Sequence, residues 1–262
     1  MMESFSRALA VQGRVLWALA LREIRSKHGK YRIGYLWEIL KTLLGVALFW
    51  FVREMAGFTA PQGLPTGLFL LLGFVIWHIF AETVNTGLRI VQRNKTLLTF
   101  PQVLPLDLFL SNLITVWVTE VVVALVFILA LRGAGYQFHL YDPLTFFLTL
   151  IGIAFFALGA GLVLATMMVR LPFLEQTIPV CMRVLFFTSG VILSPLQLTK
   201  RYGDIALWNP LMNFIELMRG CFAYTTPGSY VKISYIIVFS CVVLLFGLLL
   251  ERHTRLKWAT TV

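Results

Sequence analysis

The chain has 262 residues and a net charge of +10, yet only 13% of its residues are charged and 59% are hydrophobic. Because a soluble domain carries about 25% charged residues, this composition excludes an ordinary soluble enzyme and indicates a polytopic membrane protein. No nucleic-acid partner is expected, because the basic residues form no patch on a soluble module. The three cysteines lack metal-ligand or CxxC spacing, which disfavours a zinc site and an intrachain disulfide.

Residues 1–28 predict an amphipathic helix that lies on the membrane surface. At 100° per residue, Arg7, Arg14 and Arg25 fall on one face of this helix. The opposite face is apolar and carries Phe5, Leu9, Leu16 and Leu19. A loose basic tail is the alternative. The segment also lacks the compact apolar stretch of a cleavable signal peptide, so we expect the first span to act as the insertion signal.

Six predominantly apolar runs have about 20 residues, the length that crosses the hydrocarbon of a bilayer. They cover residues 36–55, 65–85, 106–131, 144–168, 178–198 and 230–250. The predicted fold class is therefore an all-α polytopic membrane protein with six transmembrane helices. We expect a single domain, 1–262, in which residues 1–35 hold the interface helix, residues 36–250 form the six-span bundle and residues 251–262 form a tail.

The distribution of basic residues predicts the orientation of these spans. An even number of spans places both termini on one side of the membrane. With the N-terminus inside, the inner segments hold 15 of the 22 lysines and arginines, and the outer segments hold six. Cytoplasmic loops are the ones enriched in Lys and Arg, so both termini are predicted to be cytoplasmic.

The cytoplasmic segment 89–105 mixes charged and apolar residues and then stops at Pro101 and Pro105. A plain connecting loop has no need for exposed Leu97, Leu98 and Phe100. These residues predict a short helix that docks on a partner. The alternative is a loop folded against the spans of its own chain.

The segment 200–229 is predicted to lie on the outer face, yet it is strongly apolar. Asn209 and Pro210 form a good helix start, which predicts a helix from residue 210 to about 223. At 1.5 Å per residue this helix is too short to span a bilayer. We therefore expect short re-entrant helices between spans five and six, with Glu216 and Arg219 paired three residues apart.

Ionisable residues inside spans are the first candidates for function, because a charge in hydrocarbon is costly. Glu82 and Glu120 are proton sites of a gradient-driven carrier, members of interhelical pairs, or residues that extend towards the end of their helix. Arg183 either contacts an anionic cargo or extends towards the end of its helix. The sequence contains no P-loop and no catalytic arrangement of Ser, His or carboxylates, so neither ATP binding nor an enzyme activity is expected.

Two motifs carry a resemblance to a known family. The segment LREIRSKHGKYRIGYLWEIL (21–40) resembles the N-terminal signature of ABC-2-type polysaccharide export permeases, most closely the capsular polysaccharide (KpsM) type. The segment LWNPLMNFIELMRG (207–220) is similar to the outer-face segment that precedes the last span in that family. With the length and the six predicted spans, the resemblance covers nearly the whole chain.

The resemblance implies a transport subunit in a bacterial inner membrane. Its partners would be a second copy of the chain, two separate ABC ATPase subunits that hold the ATP and Mg, and periplasmic and outer-membrane export components. The cargo would be a lipid-linked, usually anionic capsular polysaccharide that moves from cytoplasm to periplasm. No cofactor on this chain is implied.

The resemblance also implies site residues. The interface helix would be 4–28, the coupling helix 90–100 and the outer helices 200–226. The substrate path would include Arg25, Lys30, Arg32, Lys41 and Arg183. The contacts to the ATPase would include Arg93, Asn94, Lys95, Leu97 and Leu98. The general enrichment of Lys and Arg on the cytoplasmic side would also place basic residues at the inner mouth. For each of these positions, cargo binding and this enrichment both remain possible reasons for the basic residue.

Three other functions remain open from the sequence. The same mechanism would serve another glycan, of the O-antigen or teichoic-acid type. A gradient-driven secondary carrier would use Glu82 or Glu120 as its proton site. A membrane glycosyltransferase or assembly factor would need an acidic catalytic cluster, and the sequence shows none.

Overall fold

The computed structural model describes residues 2–28, 34–58, 60, 63–100, 102–195, 207–223, 231 and 233–260. The described part of the chain is helical and contains no strand, which confirms the predicted all-α class. Its helices are α1 (Met2–His28), α2 (Gly34–Met55), α3 (Thr66–Arg93), α4 (Pro105–Gly133), α5 (Pro143–Arg170), α6 (Leu174–Thr188), α7 (Pro210–Gly220) and α8 (Ile233–Thr260).

Four helices in the described residues are long and apolar enough to cross a membrane. They are α3, α4, α5 and the part of α8 from Ile233 to Arg255. These four coincide with the predicted second, third, fourth and sixth spans. Helix α2 has the position of the predicted first span, and the count of six spans stays a prediction.

The predicted limits of the fifth span, 178–198, are wrong at both ends. Helix α6 begins at Leu174 and ends at Thr188, and residues 189–194 are not helical. The helix stops because Gly190 adopts a φ of +79°, in the left-handed region that favours glycine. With 15 residues, α6 is about 22 Å long, which is less than the roughly 30 Å of bilayer hydrocarbon.

Helix α3 lies at the centre of the bundle, where it packs against α2, α4, α5, α6 and α7. Most of its side chains are buried, including Phe69, Ile76 and Ile79, which are fully enclosed. This burial explains why the α3 sequence is a nearly continuous apolar run rather than an amphipathic stripe.

Helices α5 and α8 approach each other most closely at two glycines. A Cβ atom on Gly159 would lie 2.7 Å from the backbone N of Leu244, and one on Gly247 would lie 2.7 Å from the carbonyl O of Gly159. Small residues at such a crossing let two backbones come into contact inside a membrane bundle. Three further small residues of α5, spaced four apart, are buried as well: Ala157, Gly161 and Ala165.

We expect Gly159→Ala to lower the thermal stability of the purified protein markedly, because the new methyl group would meet backbone that cannot rotate away. The matched control is Gly13→Ala in α1, where an added Cβ meets no atom within 4 Å. Ala favours a helix over Gly, so the control should unfold at the same temperature or higher. Equal unfolding temperatures of the two variants in detergent would contradict this close packing.

The bundle has two distinct ends. Helix α1 lies across the first, the α1 end, where Gln12 Nε2 donates to Asp107 Oδ1 at the start of α4. Helix α7 covers the second, the α7 end, where the amide of Tyr141 donates to the carbonyl of Cys221 at 2.8 Å. Residues 211–219 of α7 are all buried, and the helix ends at Gly220 rather than near residue 223.

Candidate functional site

A groove of about 590 Å³ lies between α3 and α6. Its α3 wall carries four polar residues, and its α6 wall contributes both charged and aromatic residues. The polar and charged lining residues are His78, Glu82, Asn85, Arg89, Glu175 and Arg183.

The polar wall of the groove follows directly from residue spacing on α3. His78, Glu82, Asn85 and Arg89 are separated by four, three and four residues. At 100° per residue they fall within an arc of about 60°, so they form one stripe along an otherwise buried helix. Of this stripe, only Glu82 was a candidate from the sequence. The HxxxExxNxxxR spacing within an apolar run was the signal that would have revealed all four.

Two ion pairs connect the stripe to neighbouring helices. Lys41 Nζ of α2 lies 3.0 Å from Glu82 Oε1, and Arg89 Nε lies 2.6 Å from Glu175 Oε1 of α6. Both pairs are partly exposed. Such pairs contribute about 0–1 kcal/mol, so they fix geometry more than stability.

Arg183 is the remaining cation of the groove. Its side chain is exposed, and it forms no ion pair with any residue that the structure describes. Lys41 and Arg89 are each balanced by a carboxylate, so the groove keeps the positive charge of Arg183. Of the predicted substrate path, Arg183 thus lines the groove, and Lys41 lies next to it through its ion pair with Glu82.

A buried polar cluster lies behind the stripe. His78 Nδ1 is 3.0 Å from Thr42 Oγ1 and 3.3 Å from Glu120 Oε1, and Thr42 Oγ1 donates to Glu120 Oε1 at 3.3 Å. Thr42 and Glu120 are 2% and 5% exposed. Glu120 is therefore a member of an interhelical pair, one of the roles expected for it.

Aromatic rings form the apolar side of the groove. The ring centroids of Trp77 and Phe186 are 5.3 Å apart, and those of Phe74 and Phe186 are 5.6 Å apart, both edge-on. These contacts hold α6 against α3. Phe187 also lines the groove, but it is 58% exposed and available to a ligand.

Of the other predicted substrate-path residues, only Arg25 belongs to the described part of the chain. Arg25 is exposed near the C-terminal end of α1. Lys30 and Arg32 fall outside the described residues.

The predicted coupling segment is not a single helix. Helix α3 ends at Arg93, and a 3₁₀ helix follows from Lys95 to Thr99. The break lies at Asn94, which is buried, donates to the carbonyl of Ile90 at 2.8 Å and accepts from Arg22 Nη1 at 2.8 Å. Asn94 therefore joins α1 to the end of α3.

The apolar residues of this segment differ in exposure. Leu97 and Leu98 are partly buried and pack against the cluster formed by α1, α4 and α5. Phe100 is 58% exposed, and Lys95 is exposed as well. Arg93 lies 3.6 Å from Glu23 of α1. The most accessible apolar side chain of this segment is thus Phe100, which was not among the predicted ATPase contacts.

The family model for the ABC-2 type transporter matches residues 14–223, which include both walls of the groove and the α1 end. This chain belongs to the ABC-2 type transporter family. The predicted family is therefore confirmed, and the architecture described above is that of an ABC-2 membrane subunit.

Curated relatives within this ABC-2 group match almost end to end. The chain is 30% identical to the polysialic acid transport protein KpsM of Escherichia coli, over 92% of this chain and 94% of that protein. It is 26% identical to the capsule polysaccharide export inner-membrane protein CtrC of Neisseria meningitidis serogroup B, over 94% and 92%. It is 24% identical to the corresponding protein BexB of Haemophilus influenzae, over 95% and 94%.

Proposed function

We propose that this chain is the membrane subunit of an ATP-driven exporter that moves a lipid-linked, anionic capsular polysaccharide out of the cytoplasm. The observation that carries the proposal is the end-to-end similarity to a polysialic acid transport protein, whose cargo is a polyanion. The groove between α3 and α6 supports it, because it combines an unbalanced arginine with exposed aromatic surface. Such a surface suits a sugar chain, which has apolar ring faces and polar or charged edges.

The proposed topology has six spans with both termini in the cytoplasm. The α1 end would then face the cytoplasm and the α7 end the periplasm. The excess of Lys and Arg in the segments of the α1 end supports this orientation. Helices α2 and α6 would be the first and fifth spans, with residues 189–194 extending beyond the short α6. Helix α7 would be a re-entrant helix covered by protein, which is the condition for irregular backbone at membrane depth.

The proposed assembly contains two copies of this chain and two ABC ATPase subunits at the α1 end. ATP and Mg would be held by those partner subunits. The exposed surface formed by Arg93, Lys95 and Phe100 supports this placement, because it combines charge with an accessible aromatic ring. Leu97 and Leu98 would support the surface from behind rather than contact the partner.

This arrangement predicts different outcomes for two neighbouring substitutions. Phe100→Asp should abolish co-purification of the ATPase while leaving thermal unfolding of the membrane subunit unchanged, because Phe100 is largely exposed. Leu98→Asp should lower the unfolding temperature, since it places a charge in a packed apolar cluster. Retention of the ATPase by the Phe100→Asp variant would place the docking surface elsewhere.

Deletion and complementation test the proposed function itself. Removal of the gene for this chain should eliminate the polysaccharide from the cell surface and let it accumulate in the cytoplasm, and a plasmid copy should restore export. A surface polysaccharide that is unchanged in the deletion strain would contradict the proposal. If surface O-antigen or teichoic acid is lost instead, the cargo is that glycan, and the proposed ATP-driven export mechanism is unchanged.

A gradient-driven carrier gains no support from the geometry. Glu82 is paired with Lys41, and Glu120 contacts His78 and Thr42, so both carboxylates have interhelical partners. The near-complete matches to export permeases of the ABC-2 group favour ATP-driven transport.

A further inference from the structure

Asn85 differs from the other members of the polar stripe on α3, because its side chain has no partner in the described part of the chain. Glu82 and Arg89 form ion pairs with neighbouring helices, and His78 contacts the buried cluster behind the stripe. The Oδ1 atom of Asn85 is enclosed and accepts no hydrogen bond from the described residues. The Nδ2 atom donates to none of them either.

An amide without a partner is unfavourable at this position. Asn85 lies in α3, which is long and apolar enough to cross a membrane, and its side chain is only partly exposed. Removing a polar group from water without giving it a hydrogen bond costs free energy. Asn is also a poorer helix former than Leu. The fold gains nothing from this amide, which points to a partner that the bundle itself does not supply.

The groove is where such a partner can reach the amide. Asn85 lines the groove between α3 and α6. Its Nδ2 atom is not among the enclosed side-chain atoms that lack a partner, so it is accessible from the groove. A turn of the amide by 180° exchanges Nδ2 and Oδ1, so the accessible atom can serve as a donor or as an acceptor. The site therefore suits a ligand group that both donates and accepts hydrogen bonds.

The groups next to Asn85 favour a hydroxyl over an ionised acid. Glu82 lies three residues before it on the stripe, and Glu175 of α6 is paired with Arg89, four residues after it. The side chains of Glu82 and Glu175 are 39% and 36% exposed, and both line the groove. A carboxyl group accepts hydrogen bonds whether or not it is ionised. A hydroxyl can thus accept from the Asn85 amide and donate to a carboxyl oxygen, whereas an ionised acid lacks the hydrogen for the second bond.

Resting on the proposed export function, we propose that Asn85 is a cargo-contacting residue that binds ring hydroxyls of the polysaccharide. Elsewhere in the groove, the exposed ring of Phe187 packs against the apolar face of a sugar, and Arg183 contacts its acidic substituents. The amide of Asn85 carries no charge. Its contact should therefore form equally well with neutral and acidic glycans.

The direct test uses the full chain in phosphatidylcholine nanodiscs, with ¹⁵N-labelled asparagine. The chain has five asparagines, and Asn85 is assigned from the side-chain signal that disappears in Asn85→Leu. Maltohexaose is the probe, because it is neutral and rich in ring hydroxyls. It should shift the amide signal of Asn85 and leave that of Asn94, which is bonded within the protein, unchanged. Hexaethylene glycol, a polyether with hydroxyls only at its ends, should shift neither signal.

Thermal unfolding separates a ligand-binding asparagine from a structural one. Asn85→Leu should unfold at the same temperature as the unmodified chain or higher, because no hydrogen bond within the described chain is lost. The matched control is Asn94→Leu at the end of the same helix. Asn94 donates to the carbonyl of Ile90 and accepts from Arg22, so this variant should unfold at a lower temperature.

Export measures the contribution of Asn85 to cargo binding. In a complemented deletion strain, Asn85→Leu should lower surface polysaccharide by about tenfold, the effect of losing one or two hydrogen bonds to the cargo. Asn85→Gln keeps the amide and should recover part of the export. A loss of export without a loss of stability is the combination that a structural role would not produce.

Three results would overturn the inference. An Asn85 signal that does not respond to maltohexaose would leave water as the partner of the amide. An unfolding temperature of Asn85→Leu as low as that of Asn94→Leu would assign Asn85 a structural role. Unchanged surface polysaccharide in the Asn85→Leu strain would remove the residue from the path of the cargo. If deletion of the whole gene leaves the polysaccharide in place, the proposed export function fails, and the nanodisc measurement still decides whether Asn85 binds sugar hydroxyls.

Discussion

Replacement of Arg219 by Met is expected to prevent accumulation of the folded protein. Arg219 is completely buried, and its guanidinium stacks 3.4 Å from the ring centroid of Phe69. Its nitrogens donate to four acceptors, namely the carbonyls of Phe69 (3.1 Å), Gly190 (2.8 Å) and Val191 (2.7 Å) and Glu216 Oε1 (2.9 Å). One side chain thus joins α3, α7 and the non-helical segment after α6.

The expected loss is large compared with the stability of a folded domain. Breaking a buried ion pair costs about 3–5 kcal/mol, because the remaining charge stays buried without its partner. Each buried acceptor that loses its donor adds about 1–3 kcal/mol. A native domain is stable by only about 5–15 kcal/mol, so this single change approaches the whole margin. Fluorescence-detected size exclusion after mild solubilisation measures the result.

Three further variants sharpen this prediction. Arg252→Met removes an exposed arginine and should leave the elution profile unchanged. Arg219→Lys should fold poorly, because an ammonium group cannot reproduce the planar set of donors. Adding Glu216→Gln to Arg219→Met should recover part of the folded yield, since the buried charge is removed. A monodisperse Arg219→Met protein with normal yield would show that this contact set does not hold the α7 end together.

Replacement of Arg183 by Ala is expected to reduce polysaccharide export by about tenfold or more while the protein folds normally. Arg183 is exposed in the groove and forms no ion pair with the described residues, so its removal costs little stability. For an anionic cargo, the same removal takes away a charge-assisted contact. Surface polysaccharide in a complemented deletion strain measures the effect.

The control for Arg183 must remove the same charge outside the groove. Arg170→Ala does so at the exposed end of α5, in a segment predicted to be cytoplasmic. It should export normally, whereas Arg183→Lys should retain partial activity. Equal export by the Arg183→Ala and Arg170→Ala variants would indicate that Arg183 contributes only to the inside-positive charge bias.

The positions of the long helices could be predicted because each one contains an apolar run of about 20 residues. Helix α3 begins where its span was predicted to begin, with Thr66 directly after Pro65. It continues beyond the predicted end at residue 85 and ends at Arg93. The end of α6 was not predictable in this way. The carbonyls of Gly190 and Ile192 accept from Arg219 and Arg53, partners that lie 29 and 139 residues away in sequence.

The candidate site was partly predictable for a similar reason. Arg183 was identified because charges are rare inside apolar runs, and Lys41 was implied by the family resemblance. The pairing of His78 with Glu120 depends on the register of α3 against α4, which no local pattern contains. The Glu216–Arg219 pair was confirmed, since three-residue spacing on a helix is local, but its complete burial follows from the packing of α7.

An acidic polysaccharide that passes through the groove between α3 and α6 should be captured there by site-specific photo-crosslinking. A benzoylphenylalanine placed at Phe187, 58% exposed in the groove, should capture the polysaccharide in cells that carry the ATPase. The same probe at Phe147 of α5, which is 57% exposed and does not line the groove, should capture none. Crosslinking at Phe147 but not at Phe187 in export-competent cells would contradict the account.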